Sequence, residues 1–144
     1  MNKIDIASGL LFQKMGLSKE TPNDRSLCQA KVYLLQALGT NLGFSFVWHK
    51  GPYSPTLADY VYSNLDFLLS EDFSKYKMRK AAQDNVTKVN ALVHEAPSSL
   101  STVLWYRLLS SLLFMDLHRQ SWKIGDSNDP LLFTKLVHCM PQYT

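Results

Sequence analysis

The sequence has few of the residues that build disulfide-stabilised or redox-active proteins. It contains two cysteines, Cys28 and Cys139, in 144 residues, and they form no CxxC pair. Each lies in an apolar context, so we expect two buried or half-buried thiols in a reducing compartment. Spacing alone gives no distance between them, and a disulfide stays open as the alternative.

Long apolar runs are also missing. The longest, residues 103–115, is interrupted by Arg107 and two serines, whereas a bilayer needs about 20 apolar residues. Residues 1–16 lack the apolar centre and the small-residue cleavage site of a secretory signal. We therefore expect a cytoplasmic protein that does not bind a membrane.

The sequence has little excess charge. Its net charge is +3, and hydrophobic residues make up 46% of the chain. This composition is typical of a globular protein and excludes a disordered one, and the length fits a single domain, residues 1–144. Because the charge is mild, only a local patch would indicate binding to nucleic acid.

Motifs of catalytic and cofactor sites are absent. The four histidines (49, 94, 118 and 138) have no HxxxH or HExxH spacing, and no GxSxG elbow or phosphate loop occurs. We predict no metal, no cofactor and no catalytic residue, and hence a protein that is not an enzyme. An enzyme built around His49, Tyr53 or Cys28 is the alternative.

Apolar periodicity predicts a mainly α (α+β) fold, a compact bundle of about six helices with a short strand or a small winged-helix-like β element. Asp24 or Ser26 is expected to cap the second helix, and Ser98 or Ser99 the fifth. The second helix is apolar nearly all round and should be the most buried. The predicted helices cover residues 3–15, 25–38, 55–69, 78–94, 100–118 and 131–139.

One segment, FVWHKGPYSPTLADYVYS (residues 46–63), combines an aromatic run with a sharp turn. Residues 44–49 predict a strand on which Trp48 faces the core and His49 faces outward. Gly51 suits a positive φ, Ser54 can cap the next helix, and Pro55 fits its first position. Lys50, at the rim of this turn, is free for a partner.

Residues 25–62 carry a pattern that goes beyond these local signals. A KVYLLQ run is followed by an aromatic strand and then by HKGPYSPTL. The matching residues are Lys31, Tyr33, Leu34, Leu35, Gln36, Phe44, Phe46, Gly51, Pro52, Tyr53, Ser54 and Leu57. The pattern resembles the YwgA-like family and the broader Panacea (GepA-like, phage-associated) group, although Met140 replaces a lysine that many relatives carry.

The resemblance implies a compact helical, winged-helix-like domain of the kind found in prophages or near toxin–antitoxin and defence genes. It implies no family-wide catalytic activity. We therefore expect a non-enzymatic protein-interaction module that binds a partner protein through the turn and the following helix. The expected contact residues are Trp48, His49, Lys50, Tyr53 and Tyr60.

A second hypothesis is a winged-helix-like, DNA-binding transcriptional regulator. The run KYKMRK places Lys75, Lys77, Arg79 and Lys80 together as a nucleic-acid contact. Arg25 and Lys31, near the start of the second helix, complete this predicted contact. Against it, the helix at 55–69 has two aspartates and neither lysine nor arginine, which disfavours reading of the major groove. The C-terminal segment is amphipathic enough to serve as a homodimer contact.

Overall fold

The computed structural model describes residues 1–118, which form five α-helices, one 3-10 helix and a two-stranded antiparallel sheet. The predicted mainly helical α+β class is confirmed. The predicted helix at 131–139 and the C-terminal dimer contact lie outside the described residues. The elements in chain order are α1 (Lys3–Met15), α2 (Pro22–Ala37), β1 (Val47–Trp48), β2 (Pro52–Tyr53), α3 (Pro55–Ser70), α4 (Lys80–Ala91), the 3-10 helix (Leu92–Glu95) and α5 (Thr102–His118).

Helix α2 lies at the centre of the described residues, as its apolar sequence predicts. It contacts α3, α4, α5 and β2, and Val32 and Leu35 are fully buried. The predicted start was wrong, because the side chain of Thr21, not Asp24 or Ser26, accepts the capping hydrogen bond. Pro22 then occupies the first helical turn, where the missing N–H costs nothing.

The segment between α2 and the sheet is held to α2 by the side chain of Gln36. The Gln36 amide accepts hydrogen bonds from the N–H groups of Leu42 and Phe44 (3.2 and 3.1 Å) and donates to the Phe44 carbonyl (2.8 Å). The predicted strand at 44–49 is therefore wrong over its first half, because Phe44 bonds to a side chain instead of a neighbouring strand. The predicted alternation holds, since Phe44, Phe46 and Trp48 are half-buried and their neighbours are exposed.

The two strands form a short hairpin that runs directly into α3. Val47 pairs with Tyr53 and Trp48 with Pro52. As predicted, Gly51 adopts a positive φ (131°), and the Ser54 hydroxyl caps α3 by accepting the Leu57 N–H at 3.2 Å. The hairpin is the small β element expected from the sequence, and its likeness to the wing of a winged-helix domain stays a prediction.

The connection between α3 and α4 has turns and no strand. Phe73 anchors it, being only 2% exposed and packed against Gly9 of α1. Helix α4 begins at Lys80 instead of residue 78, and the last predicted turn is a 3-10 helix. A tightening of this kind is common at the end of a helix.

Helix α5 packs against α2 and also contacts β2 of the hairpin. It starts at Thr102, and the Ser101 hydroxyl, not Ser98 or Ser99, accepts the Leu104 N–H at 3.4 Å. Within residues 1–118, none of the helices combines the length and the apolarity needed to cross a bilayer.

Candidate functional site

A cavity of about 730 Å³ opens beside the hairpin, between α2, α3 and α5. Its size lies in the range of pockets that hold small ligands or inserted side chains. The hairpin contributes a continuous stretch of its wall, residues 49–53. The turn singled out by the sequence is therefore part of a concave site.

Positive charge dominates the wall of this cavity. Lys19 forms an ion pair with Asp66 (3.3 Å), which removes one charge of each sign. Arg25, Lys50 and Arg107 also line the wall, and Glu20 is the other carboxylate among its described lining residues. Arg25 and Lys50 form no ion pair within residues 1–118, so this site carries an excess of positive charge.

Lys50 is held in an unusual backbone conformation. Its φ is +58°, and it is the one described residue other than glycine with a positive φ. The left-handed region costs an L-residue roughly 1–2 kcal/mol. The Arg107 guanidinium on α5 donates to the Lys50 carbonyl at 3.1 Å, while the Lys50 side chain is exposed. The fold thus fixes the backbone and leaves the ammonium group to solvent.

Aromatic rings flank the charged groups. The rings of His49 and Tyr53 lie 5.9 Å apart at an angle of 56°. Across the cavity, Tyr62 of α3 is 78% exposed, and the Lys19 ammonium group lies 5.3 Å from its ring centre. The site therefore combines cations with ring surfaces, a composition typical of binding interfaces.

A buried hydroxyl lies behind the turn. Ser111 on α5 is fully buried, and its Oγ has no hydrogen-bond partner within residues 1–118. A Cβ atom added to Gly51 would lie 3.3 Å from this oxygen. Buried polar groups are nearly always paired, so the Ser111 hydroxyl is an unusual feature of the inner wall.

Two of the predicted contact residues lie away from the cavity wall. The Trp48 ring is half-buried and packs against Phe114, with centroids 5.6 Å apart. The Tyr60 hydroxyl donates to Asp5 at 2.6 Å and joins α3 to α1. Burial, with a smaller contribution from Asp5, raises the pKa of Tyr60 to about 12. The structure brings together His49, Lys50 and Tyr53 of the predicted set.

The basic run predicted to contact nucleic acid lies away from the cavity wall, whereas Arg25, predicted to contact nucleic acid with it, lines the cavity. Lys75, Lys77, Arg79 and Lys80 are all exposed, and none lines the cavity. Lys75 lies over the Tyr76 ring at 5.2 Å, and Lys80 pairs with Asp84 at 2.7 Å. The latter pair is of the i,i+4 type, which stabilises a helix by a few tenths of a kcal/mol.

Sequence reasoning did not place Arg107 or Ser111 at the site, and of the two tyrosines within α3 it selected Tyr60 instead of Tyr62. Arg107 lies 57 residues from Lys50 in the chain, and no local pattern predicts such a contact. The one signal was its position, since Arg107 interrupts an otherwise apolar helix. A long charged side chain there must reach a polar partner.

Cys28 lies on α2 at the edge of the cavity but is only 2% exposed. Its thiol donates to the Ser18 carbonyl at 3.1 Å. Burial, only partly offset by that hydrogen bond and by Lys31, raises its pKa from 9.0 to about 11. Such a thiol behaves as a small apolar side chain, because the thiolate is the nucleophile.

We expect iodoacetamide to leave Cys28 unlabelled in the folded protein at about pH 8, because the thiol stays buried and protonated there. Labelling should rise only as the pH approaches 11. Mass spectrometry of the Cys28 peptide, with urea-unfolded protein as the control, measures this separately from Cys139. Equal labelling rates in folded and unfolded protein would contradict the expectation.

A comparison with models of protein families, with curated proteins and with solved structures finds no match to this chain. The similarity to the YwgA-like and Panacea-like groups therefore stays a prediction from the sequence. Function is therefore inferred from the residues of the site itself.

Proposed function

We propose that this protein is a cytoplasmic, non-enzymatic interaction module of the prophage, defence or toxin–antitoxin type. It binds a partner protein through the GPYS turn, residues 51–54, and the start of α3. The centre of the contact consists of His49, Lys50 and Tyr53. Trp48 stabilises the hairpin.

The conformation of Lys50 carries this proposal. Strained backbone persists where the surrounding structure holds it, and it occurs most often at functional sites. Here the Arg107 hydrogen bond to the Lys50 carbonyl holds this backbone conformation, and the exposed side chain of Lys50 lines a cavity. A turn needed only to reverse the chain would favour glycine or asparagine at that position.

Tyr62 takes the role in the contact that the sequence suggested for Tyr60. The Tyr60 side chain is bonded to Asp5 and its ring packs near Phe12 and Phe44. Tyr62 instead lies exposed beside the cavity, where a partner can cover it. Tyrosine and arginine are the residues that most often dominate such contacts.

Affinity capture from a lysate of the source organism tests the proposal. We expect a protein that binds the wild type and is lost with Lys50→Glu, because the substitution reverses the charge at the centre of the contact. Nuclease treatment should not change the result. Lys77→Glu is the matched control, since Lys77 is exposed and does not line the cavity. Identical captured proteins for all variants would contradict the proposal.

DNA binding is the second candidate, favoured by the exposed cations at 75, 77 and 79. It predicts recovery of nucleic acid that is lost with Lys77→Glu and retained with Lys50→Glu. It also predicts an affinity that falls steeply with salt concentration. A salt-independent absence of DNA binding at micromolar protein would exclude it.

A further inference from the structure

We propose that the cavity beside the hairpin is a binding site for a small, neutral aromatic molecule, and that the Ser111 hydroxyl pairs with a hydrogen-bonding group of this ligand. Binding of such a molecule is an activity beyond the protein contact proposed above. Three features of the cavity support it: the absence of charge from its buried residues, the unpartnered hydroxyl and the aromatic rings of its wall.

The buried part of the cavity wall is uncharged. Every buried residue of the described lining is uncharged, whereas the charged residues of that lining are exposed or half-buried. The buried residues other than glycine are Cys28, Ala30, Pro52, Val61, Ser110 and Ser111. A charged group that moved from water into this part of the cavity would lose its hydration. The part of a ligand that lies deepest is therefore neutral.

One polar group in this buried part has no partner. The Cys28 thiol donates to the Ser18 carbonyl at 3.1 Å, and the Ser110 hydroxyl donates to the Arg107 carbonyl at 3.1 Å. The Ser111 Oγ has no hydrogen-bond partner within the described part of the chain, although Ser111 is fully buried. A serine hydroxyl both donates and accepts, and a buried one that stays unpaired costs stability. A ligand with an N–H or O–H group would satisfy it.

Gly51 leaves space beside this hydroxyl. A Cβ atom built on Gly51 would lie 3.3 Å from the Ser111 Oγ. Apart from residue 51 and its two neighbours in the chain, no other described heavy atom lies within 4 Å of that position. A side chain at residue 51 would fill this space, and the φ of 131° favours glycine as well. A ligand atom placed there would lie next to the hydroxyl.

The rings and the volume of the cavity favour a small aromatic molecule. His49, Tyr53 and Tyr62 line the cavity, and aromatic rings pack well against other rings in stacked or edge-on geometry. A volume of about 730 Å³ lies in the range of pockets that hold small organic molecules, and it is larger than one inserted side chain needs. A free ligand therefore suits the cavity better than a single side chain of a partner protein.

The test titrates the full chain with indole and with indene and follows the backbone amide signals by proton–nitrogen correlation NMR. The two probes have the same rings and nearly the same size, but indene has a methylene group where indole has its N–H group. A difference in affinity therefore measures the hydrogen bond. The amide signals that shift show whether the probes enter the cavity.

We expect indole to bind about threefold to tenfold more tightly than indene, which is the usual contribution of one hydrogen bond. The amide signals of residues 49–51 should shift. In Ser111→Ala the two probes should bind equally, because the partner of the N–H group is gone. Ala58→Trp should abolish binding of both probes, because Ala58 lines the cavity and the larger side chain fills it. Ala81→Trp is the matched control, since Ala81 is exposed and does not line the cavity.

Thermal melting followed by circular dichroism shows which variants are folded, and two variants on different helices keep the test valid if one of them fails to fold. The proposal would be overturned by an absence of indole binding, by equal affinity of the wild type for indole and indene, or by a preference for indole that persists in Ser111→Ala. Binding that Ala58→Trp leaves unchanged would also overturn it.

A side chain inserted by a partner protein predicts a different outcome. In that case neither probe binds, and Ser111→Ala loses the protein that affinity capture recovers with the wild type. That result would exclude the small-molecule site and support the protein contact. Capture with Lys50→Glu involves neither probe, so the proposed function and the ligand site can fail separately.

Discussion

Replacing Gly9 with alanine should destabilise the protein by about 1–3 kcal/mol, the cost of forcing extra atoms into a packed core. A Cβ atom at Gly9 would lie 2.3 Å from both Cε2 and Cζ of Phe73. Phe73 is 2% exposed, so its ring cannot move aside without leaving the core. In an open helix the same change would stabilise by roughly 0.5–1 kcal/mol, so the expected sign is the reverse of the usual one. Urea unfolding of the two proteins measures the difference.

A double-mutant cycle isolates the contact. In a Phe73→Ala background the space beside residue 9 is empty, and Gly9→Ala should then be neutral or stabilising. Phe73→Ala alone is expected to cost about 3–5 kcal/mol, as is usual for truncation of a buried phenylalanine. The coupling energy between the two positions should be of the order of 1–3 kcal/mol. A Gly9→Ala protein as stable as the wild type would contradict the packing described here.

The Gly9–Phe73 contact shows what the sequence could not predict. Apolar periodicity was enough to predict α1, and the Gly-Pro-Tyr-Ser-Pro run was enough to predict the turn and the Ser54 cap, because both depend on neighbours in the chain. Gly9 and Phe73 belong to different elements, and nothing near either residue indicates the other. The Arg107 hydrogen bond to Lys50 could not be predicted for the same reason, because 57 residues separate the two in the chain.

Some features of the candidate site were likewise predictable from the sequence, and others were not. His49 was predictable as outward-facing because the strand alternates, and Lys50 because it lies at the rim of the turn. The structure confirms that both are exposed. Tyr60 and Tyr62 lie two residues apart on one helix, and periodicity did not decide which of them faces α1. Tyr60 is the one that faces α1, because its hydroxyl donates a hydrogen bond to the Asp5 carboxylate. The charge of the cavity required three elements to be placed together before it could be recognised.

Replacing Gln29 with alanine should cost about 2–4 kcal/mol and loosen the hairpin first. The Gln29 amide accepts the Ser54 N–H at 2.8 Å and donates to the Ser54 carbonyl at 3.0 Å. Truncation leaves the Ser54 N–H without that partner, which costs about 1–3 kcal/mol. The Ser54 carbonyl still accepts the Ala58 N–H at 3.0 Å, so it loses one hydrogen bond worth about 0.5–1.5 kcal/mol. Urea unfolding gives the total loss, and hydrogen exchange shows where it falls, with faster exchange expected at residues 49–54.

Gln83→Ala is the matched control for Gln29→Ala. Its amide is exposed and donates to the Met78 carbonyl, and water can replace that bond, so the change should cost less than about 0.5 kcal/mol. Gln29→Glu is a sharper variant, because it keeps the acceptor for the Ser54 N–H and places a second oxygen against the Ser54 carbonyl. It should be destabilising although it conserves size. A Gln29→Ala protein with unchanged exchange in the hairpin would show that Gln29 does not hold this turn.

Comparing Gly9→Ala with Gln29→Ala should separate a loss of stability from a loss of binding affinity. Gly9 lies against Phe73, and neither residue lines the cavity. Gly9→Ala should therefore lower the folded fraction without changing the affinity of the folded protein for the partner protein recovered by affinity capture. Gln29 lines the cavity and holds Ser54 at the end of the turn, so Gln29→Ala should weaken that affinity as well, because a loosened turn must be ordered again on binding. Equal affinity of both folded variants would mean that the rigidity of the turn contributes nothing to binding.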